Sequence, residues 1–60
     1  MKYQASTIEE WIRMVNEEAT KPLSPWEQNF MESITDQFDR SRYLSEAQIE
    51  TLERIYAEKT

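Results

Sequence analysis

"LSPWEQNFMESITDQFDRSRYLSEAQIETLERIY", residues 23–56, sets out one short phrase twice, and that repetition decides the fold. Each copy opens on Leu-Ser, at Leu23–Ser24 and at Leu44–Ser45, and three residues after each serine stands a side chain able to reach back, Glu27 or Gln48. A serine before a helix accepts a bond from the backbone N–H three residues on, and a Glu or Gln at that third position returns one to the serine's own N–H. Each phrase therefore predicts a helix start. Pro25 strengthens the first, because a first-turn N–H has no partner inside the helix to lose. Leu44 and Ile49 strengthen the second, since apolar residues just before the cap and at the fourth helical position pack together as a hydrophobic staple.

Behind each start runs an apolar stripe. Trp26, Phe30, Ile34 and Phe38 recur every four residues with Met31 beside them, a pattern that drifts around the helix and gives a wide, slanted face. Ile49, Leu52, Ile55 and Tyr56 make the next stripe. These readings place helices at 25–39 and 46–58. The chain has no glycine, the residue that most often forms a left-handed C-cap. Asp39, Arg40 and Ser41 are accordingly expected to end the earlier of the two helices.

Upstream, "TIEE" at Thr7–Glu10 has the form of a third capping box, followed by Ile8, Trp11, Ile12 and Val15 at helical spacing. This helix is expected over 7–19, because Lys21 precedes Pro22 and is biased away from helical geometry. Residues 20–23 then form a linker. Residues 1–6 show no period and are expected to fray, with Tyr3 able to pack on the bundle. The expectation is an all-α fold of one domain, residues 1–60: a three-helix bundle in which helices two and three form a hairpin and helix one packs across it.

Sixty residues bury only about 60% of the surface that the unfolded chain exposes, so such a domain is marginal without help. With no Cys and no His, disulfides are excluded and a zinc site would lack its usual ligands, which leaves oligomerisation or a partner. No apolar run resembles a signal peptide or approaches the roughly 20 residues of a membrane span. The sequence reads as a soluble, cytoplasmic protein.

Twelve Asp and Glu stand against seven Lys and Arg, a net charge of −5. Direct nucleic-acid binding is disfavoured, because phosphate contacts need clustered Lys and Arg, and residues 24–39 contain none. A helix-turn-helix reading of the hairpin fails on the same ground, since its third helix carries Glu46, Glu50, Glu53 and Glu58 against Arg54 and Lys59. Catalysis is also disfavoured. Without His or Cys it would fall to groups such as the Glu32 and Asp36 carboxylates, four apart on one face, with no further ligand to complete a metal site and no glycine loop for phosphate. No cofactor is expected.

An acidic face suits a basic partner. One helical turn separates positions i and i+4 by about 6 Å, so the rows Glu32–Asp36 and Glu46–Glu50 set negative charges at intervals comparable with phosphates along a strand. Like charges at this spacing oppose the helix by a few tenths of a kcal/mol per pair. The alternative is an ordinary solvated face in which Asp36 pairs with Arg40 and Glu50 with Arg54. Both readings stay open at this point.

Residues 23–56, on the pattern "LSPWEQNFMESI" then "LSEAQIETLERIY", resemble a small helical segment of bacterial-virus and mobile-element proteins, several of them linked to DNA metabolism. The first helix lies outside this resemblance, and no catalytic residues come with it. By size and charge the chain is also similar to anti-CRISPR proteins, which implies an inhibitor that imitates DNA in a bacterial host cell. The partner-binding residues expected on this reading are Glu27, Glu32, Asp36, Asp39, Glu46, Glu50 and Glu53, facing a basic surface of a protein or nucleoprotein complex. The alternative is a helical adaptor or dimerisation module in DNA metabolism that docks through Trp11, Trp26 and Phe30, on a partner or on a second copy.

Overall fold

A computed structural model describes residues 4–60. Tyr3 and the rest of 1–3 lie outside the described residues. The described chain forms three helices, α1 (Ala5–Glu18), α2 (Pro25–Ser41) and α3 (Glu46–Lys59), with no strand among them. Among the described residues no helix is long and apolar enough to cross a membrane.

Both repeated starts form as complete capping boxes. Ser24 donates its N–H to Glu27 Oε1 at 2.8 Å while Glu27 N–H donates to Ser24 Oγ at 3.2 Å. At Ser45 the matching bonds involve Gln48, at 2.9 and 3.2 Å. Two of the free donors that every helix start leaves are thus satisfied locally at each site.

The third expected box does not form. α1 starts at Ala5, two residues ahead of Thr7, with Gln4 as N-cap and no side-chain cap bond. Thr7 and Ile8 instead donate their N–H groups to the Gln4 carbonyl, at 3.1 and 3.2 Å. Ala5 packs against the core, and a good helix former with core contact extends the helix past a capping residue that would otherwise have begun it. Ala5 and Ser6 therefore lie within α1, with Gln4 at its cap.

The end of α2 also differs from expectation. The helix continues through Ser41, and Arg42 takes the left-handed conformation (φ 56°, ψ 29°), donating its N–H to the Phe38 carbonyl at 2.9 Å. A side chain in this region costs about 1 kcal/mol, which is why glycine usually fills it. Here the chain has none, and Arg42 gains contacts that offset the cost. Its guanidinium lies 4.6 Å from the centre of the Phe38 ring and pairs with Glu9 of α1. Ser41 completes the turn, donating its hydroxyl to the Gln37 carbonyl at 2.9 Å and accepting from Tyr43 N–H at 3.3 Å.

The core draws on every helix: Ile8, Ile12 and Val15 from α1, Met31, Ile34 and Phe38 from α2, and Ile49, Leu52 and Ile55 from α3, with Leu44 from the turn. Each fully buried side chain of this kind contributes about 1.5–3 kcal/mol through removal from water. α2 and α3 are joined by the short turn 42–45, and Gln37 and Gln48 exchange amide bonds of 3.2 and 3.1 Å across them. The closest pair is α1 and α3, where Trp11 stacks on Tyr56 with ring centres 5.7 Å apart. Trp26 stands outside. The four-residue steps of its stripe rotate past the core, leaving it 58% exposed and stacked almost parallel on half-buried Phe30 at 5.3 Å.

Candidate functional site

The seven carboxylates marked out by the sequence fall into three groups. Glu27 is held inside the fold. Besides closing the Ser24 cap, its Oε1 lies 3.4 Å from Lys59 Nζ at the far end of α3, and its side chain is only 15% exposed. The Ser24 backbone N–H, with the Lys59 ammonium beside it, holds the Glu27 carboxyl below the usual carboxylate range, against the opposing effect of partial burial. A carboxylate used in this way has little left to offer a partner.

Lys59 anchors the same corner through its backbone. Thr20, in the first linker, donates both its N–H (2.7 Å) and its hydroxyl (3.1 Å) to the Lys59 carbonyl. The last turn of a helix leaves carbonyls without partners, and here a residue 39 positions away supplies them. Linker, α2 start and α3 end are thereby joined at one point.

Glu32, Asp36 and Asp39 form the second group. All three are exposed on α2, on positions away from its buried stripe of Met31, Ile34 and Phe38. They border an open groove of about 510 Å³ on the flank of α2 next to α1, whose other lining includes Leu23, Asn16 and Thr35. Asn16 donates its side-chain amide to Thr35 Oγ1 at 3.1 Å, tying the end of α1 to the middle of α2. Asp36 pairs with Arg40 at 2.7 Å, the i, i+4 pairing the sequence allows, with both side chains well exposed. Such a pair contributes under about 1 kcal/mol and is easily exchanged for a partner's cation.

Two smaller grooves adjoin. Glu32 and Asp36 also line one of about 360 Å³ with Asn29 and Ser33. Asp39 lines another of about 180 Å³ beside Ile12 and the Glu9–Arg42 pair.

Glu46, Glu50 and Glu53 on α3 form the third group. Glu46 and Glu50 are exposed and Glu53 is half-buried. None of the three grooves along α2 includes them. The acidic residues therefore divide into an α2 ridge and an α3 row, with Glu27 withdrawn from both. No salt bridge joins Glu50 to Arg54 among the described residues. Nor do the described residues hold a group of three or more acids placed to bind a metal ion.

Two features of this surface escaped the sequence reading. The Glu9–Arg42 pair spans 33 positions, and no local spacing reports it. The groove beside Leu23 did leave a signal: the first capped start has Gln28 where a staple would need an apolar residue, so Leu23 lacks a local apolar cover. Comparison with protein-family models, curated proteins and solved structures finds no match for this chain.

Proposed function

We propose that the chain is a non-enzymatic, acidic interaction protein that occupies a basic, nucleic-acid-binding surface of a partner, as a phage-encoded inhibitor of the anti-CRISPR type would. The observation that carries this reading is the exposed ridge of Glu32, Asp36 and Asp39 on the flank of α2 next to α1. Its carboxylates sit on a helix whose neighbouring face is packed into the core, so the helix sets their spacing without a partner. Preorganised charge of this kind speeds encounter and selects a partner of opposite sign. The α3 acids Glu46 and Glu50 add to the field without sharing the ridge.

The test is retention of partners from a bacterial lysate on the immobilised protein at about 0.1 M and 0.5 M salt, where the Debye length falls from about 10 Å toward 4 Å. A nucleic-acid-binding complex held only at low salt, displaced by DNA, and lost from the Glu32→Lys/Asp36→Lys variant is the expected result. Retention indifferent to that variant sinks the proposal.

One observation favours a second reading, an adaptor or dimerisation module. Trp26 is 58% exposed and stacked on Phe30, and large aromatics of this kind often anchor interfaces. On that reading binding, or self-association in sedimentation experiments, tolerates salt and disappears in Trp26→Ala.

A further inference from the structure

We propose that the groove between α1 and α2 is the seat of an anchor residue, and that its occupant is a partner segment carrying an arginine beside an apolar side chain. The proposal rests on the acidic-surface reading above and names what that surface recognises. Half-buried Leu23 and the edge of Met31 give the groove an apolar wall, while Glu32, Asp36 and Asp39 stand along its lining with no Lys or Arg among the lining residues. Charge and apolar surface thus occur together, and a guanidinium on a three-carbon stem matches both. The planar head meets the carboxylates, where paired N–H donors suit a carboxylate better than a point charge does, and the stem runs back toward the apolar wall.

The molecule already displays half of this recognition. Asp36 holds the guanidinium of Arg40 at 2.7 Å from its own helix, in a pair exposed enough to rearrange. The three acids span eight residues, seven helical steps or about 10 Å along the helix, so a partner segment can present two further cations at the same time as the anchor. The neighbouring apolar side chain takes the Leu23 wall. Leu23 is available for this because the residue that would staple over it is Gln28, whose side-chain amide donates to the Leu23 carbonyl at 3.2 Å instead.

The experiment uses the full chain and two synthetic peptides of equal charge, one with each arginine beside a leucine and one with serine in place of every leucine. Binding is followed by backbone amide shifts at about 0.1 M salt. The leucine peptide is expected to bind about tenfold more tightly, the effect of one partly buried leucine. The largest shifts should fall at Asn16, Leu23 and Thr35. Asn16→Arg, an exposed α1 position that places a cation in the groove, should erase the preference between peptides. Glu10→Gln, which changes net charge by the same amount at an exposed position that lines none of the three grooves, should preserve it. Far-UV circular dichroism confirms that both variants remain helical.

Equal binding of both peptides, with shifts spread over the α2 and α3 acids, overturns the groove and leaves the acidic surface standing. Shifts centred on Trp26 and Phe30 overturn it in favour of the aromatic face. If neither peptide binds, the acidic-surface reading fails and the anchor fails with it.

Discussion

The two capped starts, at Ser24 and Ser45, share a motif and even the preceding leucine, yet one closes and the other stays open. Leu44 is 1% exposed with buried Ile49 one turn beyond, so the staple forms and becomes part of the core. Leu23 is half-buried and borders the groove, because Gln28 occupies the position that Ile49 fills in the other copy. The returning side chains differ in the same sense. Gln48 is neutral and exchanges bonds with Gln37 of the neighbouring helix, whereas Glu27 is charged and reaches Lys59. A capping motif therefore specifies where a helix begins, and the residue one turn later specifies whether that start becomes core or surface.

The leucines provide the severest test of this contrast. Leu44→Ala should cost about 2–5 kcal/mol, the range for buried leucines. Against a total stability of roughly 3–9 kcal/mol for sixty residues, that removes much of the folded population. Leu23→Ala should cost under about 1.5 kcal/mol, since less of its surface leaves water on folding. Urea titration of both variants measures the difference, and equal losses would show that the two starts are packed alike.

Cap removal comes next. Ser24→Ala and Ser45→Ala should each lose about 1 kcal/mol, or roughly 4–8 °C in Tm for a domain of this size. Here the two starts should behave alike, since both boxes have the same geometry. A much larger loss at one of them would mean that its serine also supports the surrounding packing.

At the left-handed turn, Arg42→Ala keeps the unfavourable backbone and discards the contacts to Glu9 and Phe38, whereas Arg42→Gly discards the contacts and relieves the backbone. The glycine variant should be the more stable by about 1 kcal/mol. Thermal melts of the pair decide this. Installing the missing staple with Gln28→Leu should raise stability by roughly 0.5 kcal/mol and cover Leu23, making the first start resemble the second.

Acidification separates the starts by chemistry, because only the first contains a titrating group. The folded state holds the Glu27 carboxyl below its ordinary value, so its contribution is present in full above the unfolded pKa of about 4.3 and is lost as pH falls through the lower folded value. Melts of the wild type and of Glu27→Gln should differ at pH 7, with the wild type more stable, and converge as pH falls below the lowered folded-state value. A gap that persists at low pH would assign the effect to shape rather than charge.

How much of this was legible in the sequence follows the range of each interaction. Ser24 with Glu27 and Ser45 with Gln48 were readable because their bonds span three residues, a distance that helical geometry sets in advance. The buried stripes were readable for the same reason, apart from Trp26, whose four-residue step carries it off the core face. Thr7 misled: a capping box states only that a helix can begin there, and core contact at Ala5 moved the start upstream. The acids were readable as a set. Their division into a withdrawn Glu27, an α2 ridge and an α3 row was not.

The sequence by itself determined three amphipathic helices, two of their starts and an acidic surface, all of which depend on spacings of three or four residues that a helix converts directly into neighbours. Only the tertiary structure decided that α1 lies closest to α3, that Thr20 completes the end of α3, that Arg42 takes a glycine's place by reaching Glu9, and that Leu23 meets Glu32, Asp36 and Asp39 in one groove. Those contacts join positions far apart in the chain, and their partners are chosen by how three helices share one core.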